Sequence, residues 1–353
     1  MKEFVIDLGN GFVKAKSEKR TIVAPSSIAF YEDLGEGTLD DFSVERSYNV
    51  FESTIHDEVH YVWGTGIKDA VNHNKLLPTY THNNRYSNKR FKCLFQFVLA
   101  ELASDFEEKS LDVLLVTSLP SNEIGSEDEK KLREFLKRTH SVKRNDKNYT
   151  INVEIVKVNE QPLGTLLNIH MNETYQIHKD LQTKTIVVVD FGSGTTIVDT
   201  YKNMKRLPDS SITILEGQND IYKEIANKIK KKYSVKDLSY TYVEDGFRDG
   251  SYTAKISERA IYPFENIAQL VIDRFCASII TRIDTTLTNR DAVDVFTLTG
   301  GGVNNVGDTF REELNEDVIQ MPDGDTQTAS LEGNWKFAKA LSERLKKAKV
   351  GQE

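Results

Sequence analysis

Cysteine is almost missing from this chain. Only Cys93 and Cys276 occur among its 353 residues, each inside a helix-like pattern, so no disulfide framework is expected and both read as buried thiols in a reducing compartment. Long apolar runs are missing as well: no segment reaches the roughly 18 unbroken apolar residues that a membrane span needs. The opening MKEFVIDLG holds one lysine and a strand-like run with an aspartate in it, which is not the pattern of a signal peptide. A basic excess is lacking too. The formal net charge is −8, whereas a protein that grips DNA directly neutralises phosphates with lysine and arginine. The one dense basic run, KIKKKY (Lys228–Tyr233), reads as the solvated face of a helix. These absences argue against a secreted disulfide scaffold, a membrane span and direct DNA binding. They leave a cytoplasmic protein whose link to nucleic acid would run through a basic partner.

What is there is an alternation of strands and helices, and 353 residues are too many for one small core, so two domains are expected. Short strands precede Gly35. Residues 35–90 are polar and weakly periodic, and are expected to form a small irregular insertion with little core of its own. From Phe91, FKCLFQFVLAELA reads as a helix. VLLVTSLP (Val113–Pro120) reads as a strand covered on both faces. Ser126 with Glu129 forms a capping box ahead of a helix whose stripe is Leu132, Phe135 and Leu136. YTINVEIVKV is a further strand and QPLGTLLNIHMN a further helix. The order then begins again. Strands run from Ile186 to about Tyr201, and a polar stretch lies between about Gly217 and Tyr262. A helix from Glu265 to about Asn289 carries Ile267, Leu270, Val271, Phe275, Ile279 and Ile283 on one side, and the strand DVFTLTGGG follows. The terminal WKFAKALSERLKKAK has a stripe of Trp335, Ala338, Leu341 and Leu345, expected to pack on the first domain rather than on a membrane surface. The organisation expected is a duplicated α/β unit with no Gly/Ser linker between its halves. Domain I would cover 1–160, with its insertion at about 35–90, and be completed by a helix over 335–353. Domain II would cover 161–334, with an insertion at about 217–262.

One phrase occurs twice. FVIDLGNGFVK (Phe4–Lys14) returns as VVVDFGSGTTI (Val187–Ile197), with Asp7 and Asp190 standing 183 residues apart (190 minus 7). Each is an apolar strand, an aspartate, one residue, Gly-x-Gly and a second extended run. Glycines let the backbone turn sharply and bring its N–H groups against an anion. One such turn could equally be an ordinary hairpin: no GxxxxGK[ST] exists in the chain, and the third glycine and immediate helix of a dinucleotide fingerprint are lacking. Two copies behind two aspartates point further. Carboxylates at strand ends are costly to bring together unless a cation lies between them, and the Mg²⁺ of a nucleotide, held largely through its waters, is the natural one. Gly9-Asn10-Gly11 and Gly192-Ser193-Gly194 would then clasp phosphates from two sides, with Lys14 as a point charge. A third cluster, TLTGGGVNN (Thr297–Asn305), offers Gly300, Gly301 and Gly302 as bare backbone for a nucleoside or a phosphate. His56 and His60 in HDEVH have metal-like spacing but lack the glutamate of HExxH, and read as surface residues.

In order and approximate spacing, Asp7-Leu8-Gly9-Asn10-Gly11 with Lys14, Asp190-Phe191-Gly192-Ser193-Gly194-Thr195, and Gly300-Gly301-Gly302 with Val303 resemble a known set. They are similar to the phosphate-1, phosphate-2 and adenosine signatures of the actin, Hsp70 and sugar-kinase superfamily. VNEQPLGTLL (Val158–Leu167) and SLEGNWKFAKAL resemble its two connecting helices, so five ordered motifs span nearly the whole chain. The resemblance implies a duplicated actin-like (ribonuclease H-like) α/β fold, two domains around a nucleotide cleft. LDVLLVTSLPSNEI (Leu111–Ile124) and the compact length resemble the ParM class of plasmid-segregation actins from Gram-positive plasmids. That class implies binding of ATP, or GTP, with Mg²⁺, assembly with further copies into filaments, and hydrolysis that drives disassembly. It also implies a ParR-type, centromere-bound adaptor. On the same resemblance Gln161, just before Pro162, is the water-positioning residue, with Glu160 as the alternative one position away. Asp190 is the main carboxylate for the magnesium waters and Asp7 its partner. Ribose and base contacts fall around EGQNDIYKEI (Glu216–Ile225), with no residue assigned. Two other readings remain open: a small-molecule kinase on the same fold, which would want a carboxylate base where this chain has Gln-Pro, and a membrane-associated cytoskeletal actin.

Overall fold

The computed structural model describes residues 1–34, 47–79, 85–178, 183–287, 289–316, 319–322 and 324–350. The chain forms two compact units, Met1–Gln176 with Ser330–Glu353, and Ile177–Ala329.

The first unit is built on strands β1 (Lys2–Leu8), β2 (Phe12–Lys16), β3 (Thr21–Pro25), β4 (Ser110–Leu119) and β5 (Lys147–Glu160), with helices α1 (Lys89–Ala103) and α2 (Gln161–His170). In the sheet the order is β3, β2, β1, β4, β5, followed by Thr139–Arg144, Asn49–Ser53, His60–Trp63 and Ser27–Phe30. β1, β4 and β5 run parallel to one another. The unbroken run Val113–Val116 is fully buried for a plain reason. Val113 and Leu115 face the core that contains Phe95 and Leu99 of α1. Leu114 and Val116, with Val5, face the C-terminal helix Ala329–Val350 through Leu331 and Ala338, with Trp335, Leu341 and Leu345 packed alongside. A strand covered on both faces has no polar side to alternate with. The same C-terminal helix holds both ends of α2. Ser330 Oγ donates to Gln161 O (2.9 Å), and Lys336 Nζ donates to Asn168 O (2.6 Å) and Met171 O (2.9 Å). The two helices cross so closely that a Cβ on Gly333 would lie 1.7 Å from Gly164 O.

Two local readings are adjusted. Ser126 Oγ accepts from Glu129 N (3.1 Å), but the Glu129 carboxylate returns to Gly125 N and Arg133 Nε instead of completing the reciprocal box. Residues 49–63, expected to be irregular, contain two strands that extend the sheet, and Phe51, Tyr61 and Trp63 lie in the main core. Strands of four or five residues carry only one or two inward positions, too few for a period to show.

The second unit repeats the arrangement. β6 (Thr185–Phe191) pairs antiparallel with β7 (Thr196–Lys202) and parallel with β8 (Val295–Thr299). Around this sheet lie α3 (Gln218–Tyr233), α4 (Glu265–Thr286) and α5 (Val303–Leu314). The polar stretch 217–262 holds α3, the short helix Thr241–Arg248, and a hairpin of Thr253–Ser257 with Ala260–Pro263. On α4 the buried stripe is Ala268, Val271, Ile272, Phe275, Cys276, Ile279 and Ile283, whereas Leu270 is 47% exposed. At 100° per residue Leu270 falls on the side opposite the centre of that stripe.

A buried polar chain in the first unit yields a pH prediction. Cys93 Sγ donates to Ser53 Oγ (3.6 Å), Ser53 Oγ to Gln96 Oε1 (2.6 Å), and Gln96 Nε2 to His140 Nδ1 (3.3 Å). His140 Nε2 donates to Leu136 O (3.1 Å), so this neutral tautomer suits both of its neighbours. Burial pushes the His140 imidazole down to about 4 from an ordinary 6.5. The unfolded chain therefore takes up the proton first, and stability falls as the pH drops from 6.5 towards 4, by up to about 1.4 kcal/mol per pH unit. Imidazole NMR should show His140 still neutral at about pH 5.5. Protonation near the ordinary value would contradict the buried chain.

Candidate functional site

The two repeated phrases fold into two hairpins of the same register. Asp7 pairs with Lys14 and Leu8 with Val13, while Asp190 pairs with Ile197 and Phe191 with Thr196. At each tip the first glycine meets the carbonyl three residues on. A Cβ would lie 2.7 Å from Phe12 O at Gly9 and 2.8 Å from Thr195 O at Gly192. No real Cβ approaches an oxygen so closely, so both turns exclude a side chain. The supports differ between the copies. Ser26 N donates to Gly11 O (2.9 Å), Ser26 Oγ donates to Gly9 O (2.6 Å), and Arg85 donates to Leu8 O. The second hairpin is held by the start of α3, where Gln218 N donates to Gly192 O (3.0 Å) and Asn219 N to Ser193 O (2.8 Å). Neither Ser26 nor Arg85 announces itself in sequence, because both bond main-chain carbonyls from distant segments.

In the first unit the buried Asp7 carries an ion pair, Lys14 Nζ to Oδ2, at 3.3 Å. Their opposed positions in the ladder put both on one face of the hairpin; in the second copy Ile197 takes the place of Lys14. In the second unit the third glycine cluster lies on the Asp190 strand end. A Cβ on Gly300 would fall 2.3 Å from Asp190 Oδ1, and its φ of +91° is one that glycine alone adopts freely. Gly302 N donates to Phe191 O (2.9 Å). Asn305 Nδ2 reaches Gln218 Oε1 (2.8 Å) and Tyr222 OH (2.9 Å), joining α5, which Val303 opens, to the start of α3.

Gln161 is the first residue of α2, with Glu160 as the flanking cap residue at the end of β5 and Pro162 just inside the helix. A cavity of about 20 Å³ has Asp7, Leu8, Arg85, Thr117, Ser118 and Gln161 among its lining residues, and Glu160 is not one of them. Asp7, Ser118 and Gln161 come from the carboxyl ends of three adjacent parallel strands, β1, β4 and β5, where open α/β sheets place their sites. The first unit thus gathers Asp7, Gly9, Asn10, Gly11, Lys14 and Gln161. The second gathers Asp190, Gly192, Ser193, Gly194, Thr195 and Gly300 to Val303. Among the described residues no three His, Cys, Asp or Glu side chains group as a metal cage. Single strand-end carboxylates suit a cation held through water and phosphate. His56 Nδ1 lies 2.7 Å from Tyr61 OH, and His60 Nδ1 lies 3.7 Å from Glu52.

The family model for the N-terminal domain of actin-like proteins matches residues 5–164. The model for the C-terminal part of the archaeal, MreB-like actin homologue matches 188–312. Together the two models cover most of the chain, which is similar to actin-like proteins and has an actin-like two-domain α/β fold. Within that class it is similar to ParM proteins. A crystal structure of apo psk41 ParM is 28% identical, with 98% of this chain and 99% of that one covered and a TM-score of 0.75. A 15-stranded ParM filament from Clostridium botulinum is 18% identical over 96% of this chain and 99% of that one, with a TM-score of 0.78. Bacillus thuringiensis ParM with ATP is 18% identical over 98% and 99%, with a TM-score of 0.65. No curated protein matches the sequence. Among the described residues no helix is long and apolar enough to cross a membrane.

The Gly300 contact is directly testable. Gly250 also has a positive φ (+70°), and nothing lies within 4 Å of where its Cβ would stand. Gly250→Ala should therefore cost only backbone strain, about 1 kcal/mol, whereas Gly300→Ala adds clashes with Asp190 Oδ1 and with the Phe191 carbonyl oxygen (2.6 Å) and should cost about 2–3 kcal/mol or more in chemical denaturation. Equal losses would show that the Asp190 side chain and the Phe191 main chain both yield freely.

Proposed function

We propose that the protein is an actin-like nucleoside triphosphatase that assembles with ATP, or GTP, and Mg²⁺ into dynamic filaments. In this reading it works in the cytoplasm and moves plasmid DNA through a basic, ParR-type adaptor. The observation that carries the proposal is the hairpin repeated in one register in both units, each behind a strand-end carboxylate and each closed on bare backbone. Main-chain N–H groups in such turns are donors for phosphate oxygens, so residues 9–11 and residues 192–195 would each bind nucleotide phosphate. Lys14 would move from Asp7 towards the added negative charge. Gly300 to Val303 would take the nucleoside. Asp190 and Asp7 would orient the waters of Mg²⁺, which supplies positive charge against the phosphates. Gln161 is no strong base, but its amide can accept from a water and hold it in line with the terminal phosphate. Removal of that phosphate would leave Asn10 and Ser193 without a ligand.

Filaments need a heterologous contact that repeats without closing, and a nucleotide can drive assembly only by favouring the conformation that makes it. Support for assembly comes from the ParM filament of Clostridium botulinum, and support for the nucleotide from ATP on the Bacillus thuringiensis ParM. The net charge of −8 favours a basic adaptor over direct contact with DNA.

The test is light scattering after addition of ATP, GTP or ADP with Mg²⁺, with phosphate release followed in parallel. A rise that requires triphosphate and decays as phosphate appears is expected. Flat scattering with transfer of phosphate to a small metabolite would replace the proposal by a kinase. Asp190→Ala should abolish turnover. Gln161→Ala should retain nucleotide binding, slow turnover about a hundredfold or more, and lengthen filament life; normal turnover in that variant would remove Gln161 from the mechanism.

A further inference from the structure

We propose that Gln218 is a positioning residue for the nucleotide, tying the second phosphate turn to the glycine cluster that would take the nucleoside, so that both parts of the ligand are received at a fixed separation. The inference rests on the nucleotide reading above and adds to it a residue outside the repeated phrases. Gln218 opens α3 and is 4% exposed. Its main chain serves the turn. The first N–H groups of a helix have no acceptor within it. Here Gln218 N donates to Gly192 O (3.0 Å) and Asn219 N to Ser193 O (2.8 Å), so two carbonyls of the turn fill that need. The seat is close: a Cβ on Gly217 would lie 2.7 Å from both Gly192 O and Thr195 N.

The Gln218 side chain serves the other half. Its Oε1 accepts from Asn305 Nδ2, in the first turn of α5, at 2.8 Å. Its amide lies against bare backbone, since a Cβ on Gly302 would fall 2.7 Å from Nε2 and 2.9 Å from Cδ. One turn further along α3, Tyr222 OH accepts from the same Asn305 Nδ2 (2.9 Å). The Gln218 Nε2 has no hydrogen-bond partner among the described residues. A buried donor left unmatched destabilises a fold. Stability alone would therefore favour an apolar side chain of the same length at this place. What the amide adds is the bond that joins the start of α3, and with it the turn, to α5. A ligand of two linked parts binds tightly when its two subsites are already fixed relative to each other. Where they are loose, the linked ligand bears the cost of ordering them, and a fragment that fills one subsite does not.

Gln218→Met, which keeps the length and removes both amide atoms, and Asn305→Ala test this beside the wild type and the double variant. The ligands, each with Mg²⁺, are the triphosphate that raises light scattering (ATP or GTP), its nucleoside, and inorganic tripolyphosphate. Affinities are measured by calorimetry below the protein concentration at which scattering rises, and thermal unfolding is followed without ligand. In Gln218→Met the triphosphate should bind about tenfold more weakly, while nucleoside and tripolyphosphate stay within about twofold of wild type. Its melting temperature should equal or exceed that of the wild type, because the unmatched donor is gone. Asn305→Ala should show the same selective loss, and the double variant no further one. Four results would each overturn the proposal: unchanged triphosphate affinity in Gln218→Met, an equal loss for the nucleoside or tripolyphosphate alone, a loss that follows melting temperature, or additive losses in the double variant. All four leave the nucleotide reading standing. Wild-type protein that binds none of the three ligands would instead refute that reading, and this inference with it.

Discussion

Gly9 and Gly192 approach the carbonyl oxygens of Phe12 and Thr195 to distances no side chain survives, and the rest of each unit is arranged around that approach. A turn this tight needs a strand that cannot drift. The strand in turn needs neighbours that fix its end. In the first unit β1 is flanked by β2 and by the parallel β4; in the second, β6 is flanked by β7 and by the parallel β8. The aspartate at the strand end and the N–H groups of the turn are therefore presented by a rigid sheet, which is how a weak backbone anion site gains directional strength.

Burial on both faces supplies that rigidity. Val113 to Val116 alternate between the α1 core and the C-terminal helix, so displacement of β4 in either direction would uncover apolar area at about 25 cal/mol per Å². A charged anchor helps from the side. Glu101 of α1 accepts from Arg20 (2.8 Å), Arg144 (2.6 Å) and Asn49 (3.1 Å), binding the turn after β2, the strand Thr139–Arg144 and the strand Asn49–Ser53 to one helix. Such a buried carboxylate is tolerable because its charge is matched and its oxygens are filled.

The two copies also show how duplication separates what is repeated from what is free to differ. The register and the glycine turn recur. The supporting bonds do not: a serine on a neighbouring segment serves the first hairpin, and the start of α3 serves the second. Lys14 faces Asp7, whereas Ile197 occupies the matching place in the other copy.

The sequence by itself determined what depends on neighbours along the chain. The repeated phrase, the doubly covered strand Val113–Val116, the cap at Ser126 and the stripe from Trp335 to Leu345 all follow from backbone sterics and from periods of two or 3.6 residues, which act over a few positions. Tertiary structure alone decided which elements meet. Gly300 settles against Asp190, Gln161 shares a cavity with Asp7 and Ser118, Arg85 reaches Leu8 O, and Leu270 is left outside. Periodicity records that a face is apolar but not which partner will cover it, and a polar side chain that bonds a distant carbonyl leaves no local pattern. Those contacts exist only once the sheet has brought its strand ends together.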